Sequence, residues 1–392
     1  MVTKKLAVIG RGTVGCFTVA DFLRWTDWDI DWYYDPDVPA SGVGEGTTAM
    51  LPNRLHDSIV FSYEDLIAVG GTIKRGILKT GWSGNGNYMH NFALGVNGIH
   101  FSAEALQAFL FNHLMESGSI RTIENNVNAE DIDADFVIDC SGRPLVDDSY
   151  DKMEYTFTNA CRVAHCYWDG PRFNYTKAIA MPEGWMFIIP LQHRCSFGYV
   201  HNSTISKRDV IESQLLDIVH EHELEPYAMP ELSFNNYKKK VNFTERIAYN
   251  GNKSFFVDPM EATSTTTALG INVLARDMWH GVEGATPENC NIIYGADIQE
   301  VEAMIALHYL RDPGFGTEFW NTATYLAEEK LWLTLQENND FRTIVEAVLE
   351  QRHPSMRYGR DVGTWNLYSY TQNIQNLGIG NILHDLMPPH HH

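Results

Sequence analysis

Leu6-Ala7-Val8-Ile9-Gly10-Arg11-Gly12-Thr13-Val14-Gly15 decides how this chain begins to fold. The four apolar residues predict a short strand buried in a parallel sheet. From Cys16 to Leu23 the pattern is helical, with Phe17, Val19, Ala20 and Leu23 joining Val14 on one apolar side. Asp29 to Tyr34 predicts a second strand. Strand, glycine turn, helix and strand form the context in which G-x-G-x-x-G reads as a dinucleotide fingerprint. Gly10 permits the tight turn, Gly12 lets the backbone approach a pyrophosphate, and Gly15 lets helix and strand pack closely. The pyrophosphate is expected on the unpaired N–H groups of the helix start, at Thr13 and Val14. An acid about 20 residues further on binds ribose hydroxyls in such folds. Asp35 stands at that distance from Gly15.

Composition narrows the class. At about 150 residues per domain, the 392 residues predict two or three modules. Lys plus Arg is 29 against 50 Asp plus Glu, a formal charge of −21. Such a chain lacks the basic surface that nucleic acids or anionic lipids require. With 44% hydrophobic and 20% charged residues it has the make-up of a globular protein. No run approaches the roughly 18 apolar residues of a membrane span. Met1 to Lys5 leads into too short an apolar run for a signal peptide, so the expected compartment is the cytoplasm. Six cysteines do not make a disulfide framework, and Cys161 and Cys166 are expected to be buried thiols. The terminal histidines 390–392 read as the remnant of an expression tag.

Later segments are less distinctive. Ser102 is expected to cap a helix carrying Leu106, Phe109, Leu110 and Leu114. Ser206 and Asp209 have the spacing of a capping box ahead of Val210 and Ile211. Asp135 to Asp139 predicts a strand running into Cys140-Ser141-Gly142, and from about Pro287 the pattern is mostly helical. His220-Glu221-His222-Glu223 has the wrong spacing for zinc, because H-E-x-x-H places its histidines on one helical face. It is expected to be a solvated helix end. Asp131, Asp133 and Asp135 lack the glycine and glutamate of a calcium loop. No metal site is expected.

Further motifs follow the fingerprint in order. They are Gly42-Val43-Gly44-Glu45-Gly46-Thr47, Ile73-Lys74-Arg75-Gly76-Ile77 with Trp82, His100-Phe101, and Ala134-Asp135-Phe136-Val137-Ile138-Asp139-Cys140-Ser141-Gly142. Next come Gly184-Trp185-Met186-Phe187-Ile188-Ile189-Pro190, Gly198-Tyr199-Val200, Asp258-Pro259-Met260-Glu261-Ala262-Thr263, His308-Tyr309 and Phe319-Trp320. Together they resemble the flavin-dependent halogenases of the tryptophan-halogenase type. The compact, acidic chain is similar to the short viral members of that family.

The resemblance implies an α/β fold. A Rossmann-like FAD-binding module of the glutathione-reductase and flavin-monooxygenase type is expected over 1–275. Segments of a second, β-sheet substrate module would interleave at about 51–130 and 150–250, and a mainly helical region would follow over 276–389. It also implies a two-component enzyme. A separate NAD(P)H-dependent flavin reductase supplies FADH2, and dioxygen converts it to a C4a-hydroperoxide that oxidises halide to hypohalous acid. A lysine then holds the electrophile for substitution of an aromatic small molecule.

Residue by residue, Lys74 matches that lysine and Glu261 the carboxylate beside it. Gly44, Glu45 and Trp185 match flavin-contacting positions, and Thr263 and Ser264 match halide-binding ones. Trp185, Phe187, Ile189, Pro190 and His90 are assigned to the tunnel and substrate side. Taken alone, Lys74 reads as a surface lysine, Glu261 as a helix N-terminal acid, and Trp185 and Phe187 as core aromatics.

The departures carry expectations too. The family acid after the second strand aligns with Tyr34, the second tunnel tryptophan is Phe187, and Ala262 and Ser264 replace a serine and a glycine. The substrate is therefore expected not to be free tryptophan, and bromide or iodide is expected over chloride. Homo-oligomerisation is left open. The alternatives are a flavin monooxygenase, which hydroxylates or epoxidises, and a non-catalytic flavoprotein. Retention of Lys74 and Glu261 argues against the latter.

Overall fold

The computed structural model describes residues 3–38, 42, 44–83, 86–92, 96–351 and 365–388. Val43 of the second glycine loop and the tag remnant lie outside them. The chain divides into two units, each woven from three stretches. One comprises 1–72, 97–152 and 237–296; the other comprises 73–96, 153–236 and 297–392.

The first unit is built on a five-stranded sheet in the order Ile247–Tyr249, Phe136–Asp139, Lys5–Ile9, Asp29–Tyr34, Ile120–Glu124. All four pairings are parallel. Lys5–Ile9 sits at the centre, so Leu6, Ala7 and Val8 are fully buried. That is why the sequence there is a continuous apolar run and not an alternating one. The fingerprint helix Thr13–Trp25 packs against the helices Met50–Ile59, Ala103–Glu116 and Ser264–Trp279. Ser102 caps the Ala103–Glu116 helix, accepting from the Ala105 N–H at 3.4 Å. A small antiparallel sheet of Tyr150–Lys152, Tyr237–Lys239 and Phe255–Phe256 completes the unit.

A polar knot ties three of those helices. The Asp21 carboxylate, 1% exposed, pairs with Arg54 at 3.0 Å and accepts from Ser58 Oγ at 3.1 Å and Asn272 Nδ2 at 2.9 Å. Asn272 Oδ1 in turn accepts from Thr18 at 3.1 Å and Asn250 at 2.8 Å. Burial raises the Asp21 pKa to about 6, opposed chiefly by Arg54.

The second unit carries an eight-stranded sheet. Its order is Pro226–Ala228, Ala160–Tyr167, Arg194–His201, Gly184–Pro190, Thr176–Met181, Gly76–Thr80, Tyr88–Asn91, with Glu231–Ser233 also on Ala160–Tyr167. Pairing is antiparallel except between Thr176–Met181 and Gly76–Thr80. The helix Arg208–Glu221 lays Ile211, Leu215 and Val219 on one face of this sheet, against Ala164, Cys166, Met186, Ile188 and Phe197. Ser206 does not cap that helix. Its hydroxyl donates to Glu183 at 3.0 Å, and the capping position falls to Lys207. The helices Glu318–Glu337, Asn339–Leu349, Leu367–Leu377 and Gly380–Leu386 supply the helical C-terminal region. The Pro287–Tyr309 helix begins at the proline where the helical pattern starts. All six cysteines are free and buried.

Candidate active site

In the first unit the fingerprint turn is fixed by its own backbone. Gly10 has φ +100°, and a β-carbon there would lie 2.4 Å from the Cys140 carbonyl oxygen. One on Gly15 would lie 2.1 Å from the Gly10 oxygen. Gly12 differs: a β-carbon there would meet nothing within 4 Å. It is the N-cap of a helix with no side-chain cap and no acid in its first turn. An open, uncapped helix start beside a glycine fits a dinucleotide pyrophosphate. Thr13 Oγ1 accepts from Gln107 at 2.9 Å, and Val14 packs on the backbone of Gly251.

The ribose end is less direct. Asp35 is half-buried, with its oxygens accepting from the Asp37 N–H at 2.9 Å and Asn126 Nδ2 at 3.0 Å, so the carboxylate closes a turn. Tyr34 pairs in register with Glu124, and its hydroxyl donates to that carboxylate at 2.9 Å. The Arg11 guanidinium lies over the Tyr34 and Phe111 rings. Glu124 escaped the sequence reading because only the pairing of Ile120–Glu124 with Asp29–Tyr34 brings it there. Glu45 is buried, and its Oε1 accepts from the Ala103 N–H at 3.3 Å, at the start of a helix. The Gly44–Thr48 segment is joined to the Ser264–Trp279 helix by Thr48 and Thr266, whose hydroxyls are 2.6 Å apart.

The D-P-M-E-A-T stretch holds the sharpest local feature. Asp258 is fully buried and accepts from the Met260 N–H at 2.9 Å. Glu261 and Ala262 then adopt left-handed φ values of +67° and +54° in succession. Each such non-glycine residue costs on the order of 1–3 kcal/mol. Glu261 is 7% exposed. Thr263 is the N-cap of the Ser264–Trp279 helix without capping it, and its buried hydroxyl has no partner among the described residues. With no acid in the first turn, this helix start suits a small anion.

The second unit carries the remaining positions. Lys74 is 1% exposed, with its ammonium 5.6 Å from the centre of the Phe92 ring. Gly76 follows because a β-carbon there would strike the His90 carbonyl oxygen at 2.3 Å. Met186 and Ile188 belong to the core beneath Arg208–Glu221. Strand alternation therefore puts Trp185, Phe187 and Ile189 on the other face. Pro190, opposite Cys195, shares the helix-packed face with Ile188. His90 pairs with Ile77, which pairs with Thr176. Its Nε2 lies 3.2 Å from Ser369 Oγ.

One cross-strand row contains Tyr88, Lys79, Ala178, Phe187, Gly198 and Val163. Lys79 thus shares the face of Phe187, a position the sequence reading passed over. It is fully buried, bonded to His308 Nε2 and, at 2.8 Å, to Asn373 Oδ1. His308 Nδ1 lies 2.9 Å from the Met304 carbonyl oxygen, which makes it the protonated nitrogen. Three motifs distant in sequence meet here. The Trp82 ring sits edge-on to His308, Tyr309 and Trp320 at 5.6, 6.4 and 6.0 Å. Trp82 donates to the Ala178 carbonyl at 2.9 Å and Trp320 to that of Met181 at 2.8 Å. These motifs are packing anchors for one strand.

A model of the tryptophan halogenase family matches residues 5–116 and 111–352, and the chain belongs to that family. The tryptophan 7-halogenase RebH of Lentzea aerocolonigenes is 26% identical over 259 residues, covering 56% of this chain and 47% of RebH. The chain spans about half the length of that curated relative. The flavin-dependent halogenase Xcc4156 from Xanthomonas campestris superposes with a TM-score of 0.78 at 17% identity, over 100% of this chain and 91% of its own. BrvH, a flavin-dependent halogenase from Brevundimonas sp. BAL3, gives 0.77 at 17%, over 100% and 91%. The fold is theirs. Among the described residues no cluster could hold a metal ion, and no helix is long and apolar enough to cross a membrane.

Proposed function

We propose that the chain is a two-component, FADH2-dependent halogenase of aromatic small molecules. The observation that carries this is the buried Glu261, held left-handed at the head of an uncapped helix beside a Thr263 hydroxyl that has no partner among the described residues. Strain of this kind persists where function requires it. FAD, delivered reduced by a separate NAD(P)H-dependent reductase, supplies with dioxygen the oxidant that converts halide to hypohalous acid. Gly10, Gly12, Thr13, Val14 and Gly15 hold its pyrophosphate, and Asp35, Gly44, Glu45 and Trp185 complete its site. The backbone N–H groups at Thr263 and Ser264 hold halide. Lys74 binds the hypohalous acid, which restrains a reagent that would otherwise attack indiscriminately. Glu261 orients it or takes the proton lost as the ring regains aromaticity. Trp185, Phe187, Ile189 and His90 form the path and substrate wall, and Pro190 closes the same strand from its helix-packed face. Ser264 at the halide site favours bromide or iodide, which are easier to oxidise and to dehydrate than chloride. The smaller Phe187 suits substrates other than free tryptophan.

The test combines the protein with FAD, NADH, a flavin reductase, oxygen, mixed halides and a panel of phenols, anilines, indoles and tryptophan. Mass spectrometry is expected to show halogen replacing hydrogen, with brominated or iodinated product dominant. Lys74→Ala is expected to abolish product while peroxide release continues, and Glu261→Gln to slow it by orders of magnitude. Gain of a single oxygen atom in place of halogen would establish the monooxygenase reading instead.

A further inference from the structure

The His220–Glu223 stretch closes the Arg208–Glu221 helix, but His222 is not simply solvated. Its ring is half-buried and meets the Phe197 ring edge to face, with the ring centres 5.3 Å apart. Nδ1 lies 2.9 Å from the Ile218 carbonyl oxygen, so Nδ1 carries the proton and Nε2 presents a lone pair. That lone pair faces Lys177 Nζ at 2.9 Å. Lys177 lies on the strand Thr176–Met181, half-buried, with its nitrogen 4.7 Å from the centre of the Phe173 ring.

We infer that Lys177 is a nucleophilic amine, activated by His222 and suited to covalent capture of aldehydes. Besides Phe197, four groups face the pair from the elements around it. Phe173 and Arg172 come from the preceding loop, Cys195 from the Arg194–His201 strand, and Glu221 from the helix. Among the described residues no carboxylate lies within ion-pair distance of Lys177, so no counter-charge stabilises its ammonium form. Arg172 donates to the His222 carbonyl at 2.8 Å and adds positive charge nearby. Cys195 brings no counter-charge, because burial pushes its thiol well above the usual range and keeps it neutral. Burial also lowers the Lys177 pKa and, first among several causes, that of His222. A lysine that is desolvated and unpaired by charge is the kind that reacts as a free amine.

The step balances without a redox partner. The Lys177 lone pair adds to the aldehyde carbon, forming a C–N bond as the C=O π bond opens. Nitrogen releases one proton to His222 Nε2, which passes it to the new alkoxide oxygen. The second N–H proton follows the same route to the hydroxyl, which leaves as water as the C=N bond of the imine forms.

Limiting formaldehyde with cyanoborohydride at pH 7 traps such adducts, and peptide mass spectrometry ranks every lysine in one sample. In the full chain, Lys177 is expected to be methylated several-fold faster than the exposed Lys152, with a pH–rate midpoint below that of Lys152. The preference is expected to vanish in urea and to fall severalfold in His222→Leu. Circular dichroism and the unchanged labelling of Lys152 would show that this variant is folded. If His222→Leu fails to fold, the wild-type ratio in native against unfolded chain decides alone. Labelling of native Lys177 at or below the rate of Lys152 would overturn the inference.

Discussion

The outer edge of the Phe187 ring occupies the space where residue 198 would carry a β-carbon: such an atom would lie 2.0 Å from Phe187 Cζ. The two residues are directly paired across neighbouring strands. Glycine at 198 therefore fixes where the aromatic ring can rest, as aromatic residues do when they cover a glycine in a sheet. Gly198→Ala is expected to destabilise the protein by about 1–3 kcal/mol through overpacking. Adding Phe187→Leu should recover most of that loss. Thermal melts of the single and double variants would check it, and additive losses would refute the pairing.

Gly10 and Gly12 are expected to fail differently. Gly10→Ala meets the Cys140 carbonyl and needs a left-handed alanine, so the fold should suffer. Gly12→Ala meets no protein atom, and its φ of −71° is open to any residue. It should keep its melting temperature within about 1 kcal/mol of stability. FAD titration by fluorescence should nonetheless show weakened binding. Undiminished affinity would remove Gly12 from the cofactor site.

At Ala262, φ is +54°. A β-branched residue tolerates that region worst. Ala262→Val is expected to lose about 1–3 kcal/mol, read by chemical denaturation, whereas Ala262→Gly should be close to neutral.

Asp21 predicts an acid-side pH dependence. Its folded pKa of about 6 lies above the ordinary carboxyl value of about 3.9. The folded chain therefore binds the extra proton, and this contribution to stability is full below about pH 4. It is lost as pH rises through about 6. The difference of about two units is worth on the order of 3 kcal/mol. Asp21→Asn should flatten stability between pH 4 and 6, measured by melts across that range.

Lys79 and His308 should be energetically coupled. Lys79→Met takes the lysine donor away from His308 Nε2, whereas Asn373 Oδ1 still accepts from the Tyr88 hydroxyl at 3.1 Å. Losing the donor to a buried acceptor costs about 1–3 kcal/mol. The double variant Lys79→Met/His308→Leu should be less destabilised than the sum of the singles. A coupling energy near zero in the double-mutant cycle would show the two to be independent.

What could be read in the sequence followed the range of the interaction. The fingerprint turn, the strand Asp29–Tyr34 and the Ser102 cap are local, and the structure places each where spacing predicts it. The Ser206 box failed because a distant group, Glu183, competes for the hydroxyl. Glu124 and Lys79 were invisible for the same reason. Each acquires its setting from a neighbouring strand or a distant helix, and a lysine between Leu78 and Thr80 carries no mark of burial. The left-handed Glu261 is likewise unsignalled, since no glycine stands there. Resemblance singled out that glutamate, whereas its left-handed backbone is visible only in the fold.

The alternation of the eight-stranded sheet divides its residues into two sets with separate uses. Met186, Ile188 and Phe197 bind the sheet to its helix, whereas Ala178, Val163 and Ile189 stand on the side of Phe187 and Lys79. An engineer can thus treat the strands as a grid addressed by parity. A library confined to positions 163, 178 and 189 reshapes the second side while the helix-packed layer is left intact. Repacking 186, 188 and 197 tunes thermal tolerance and leaves the contour of the opposite side in place.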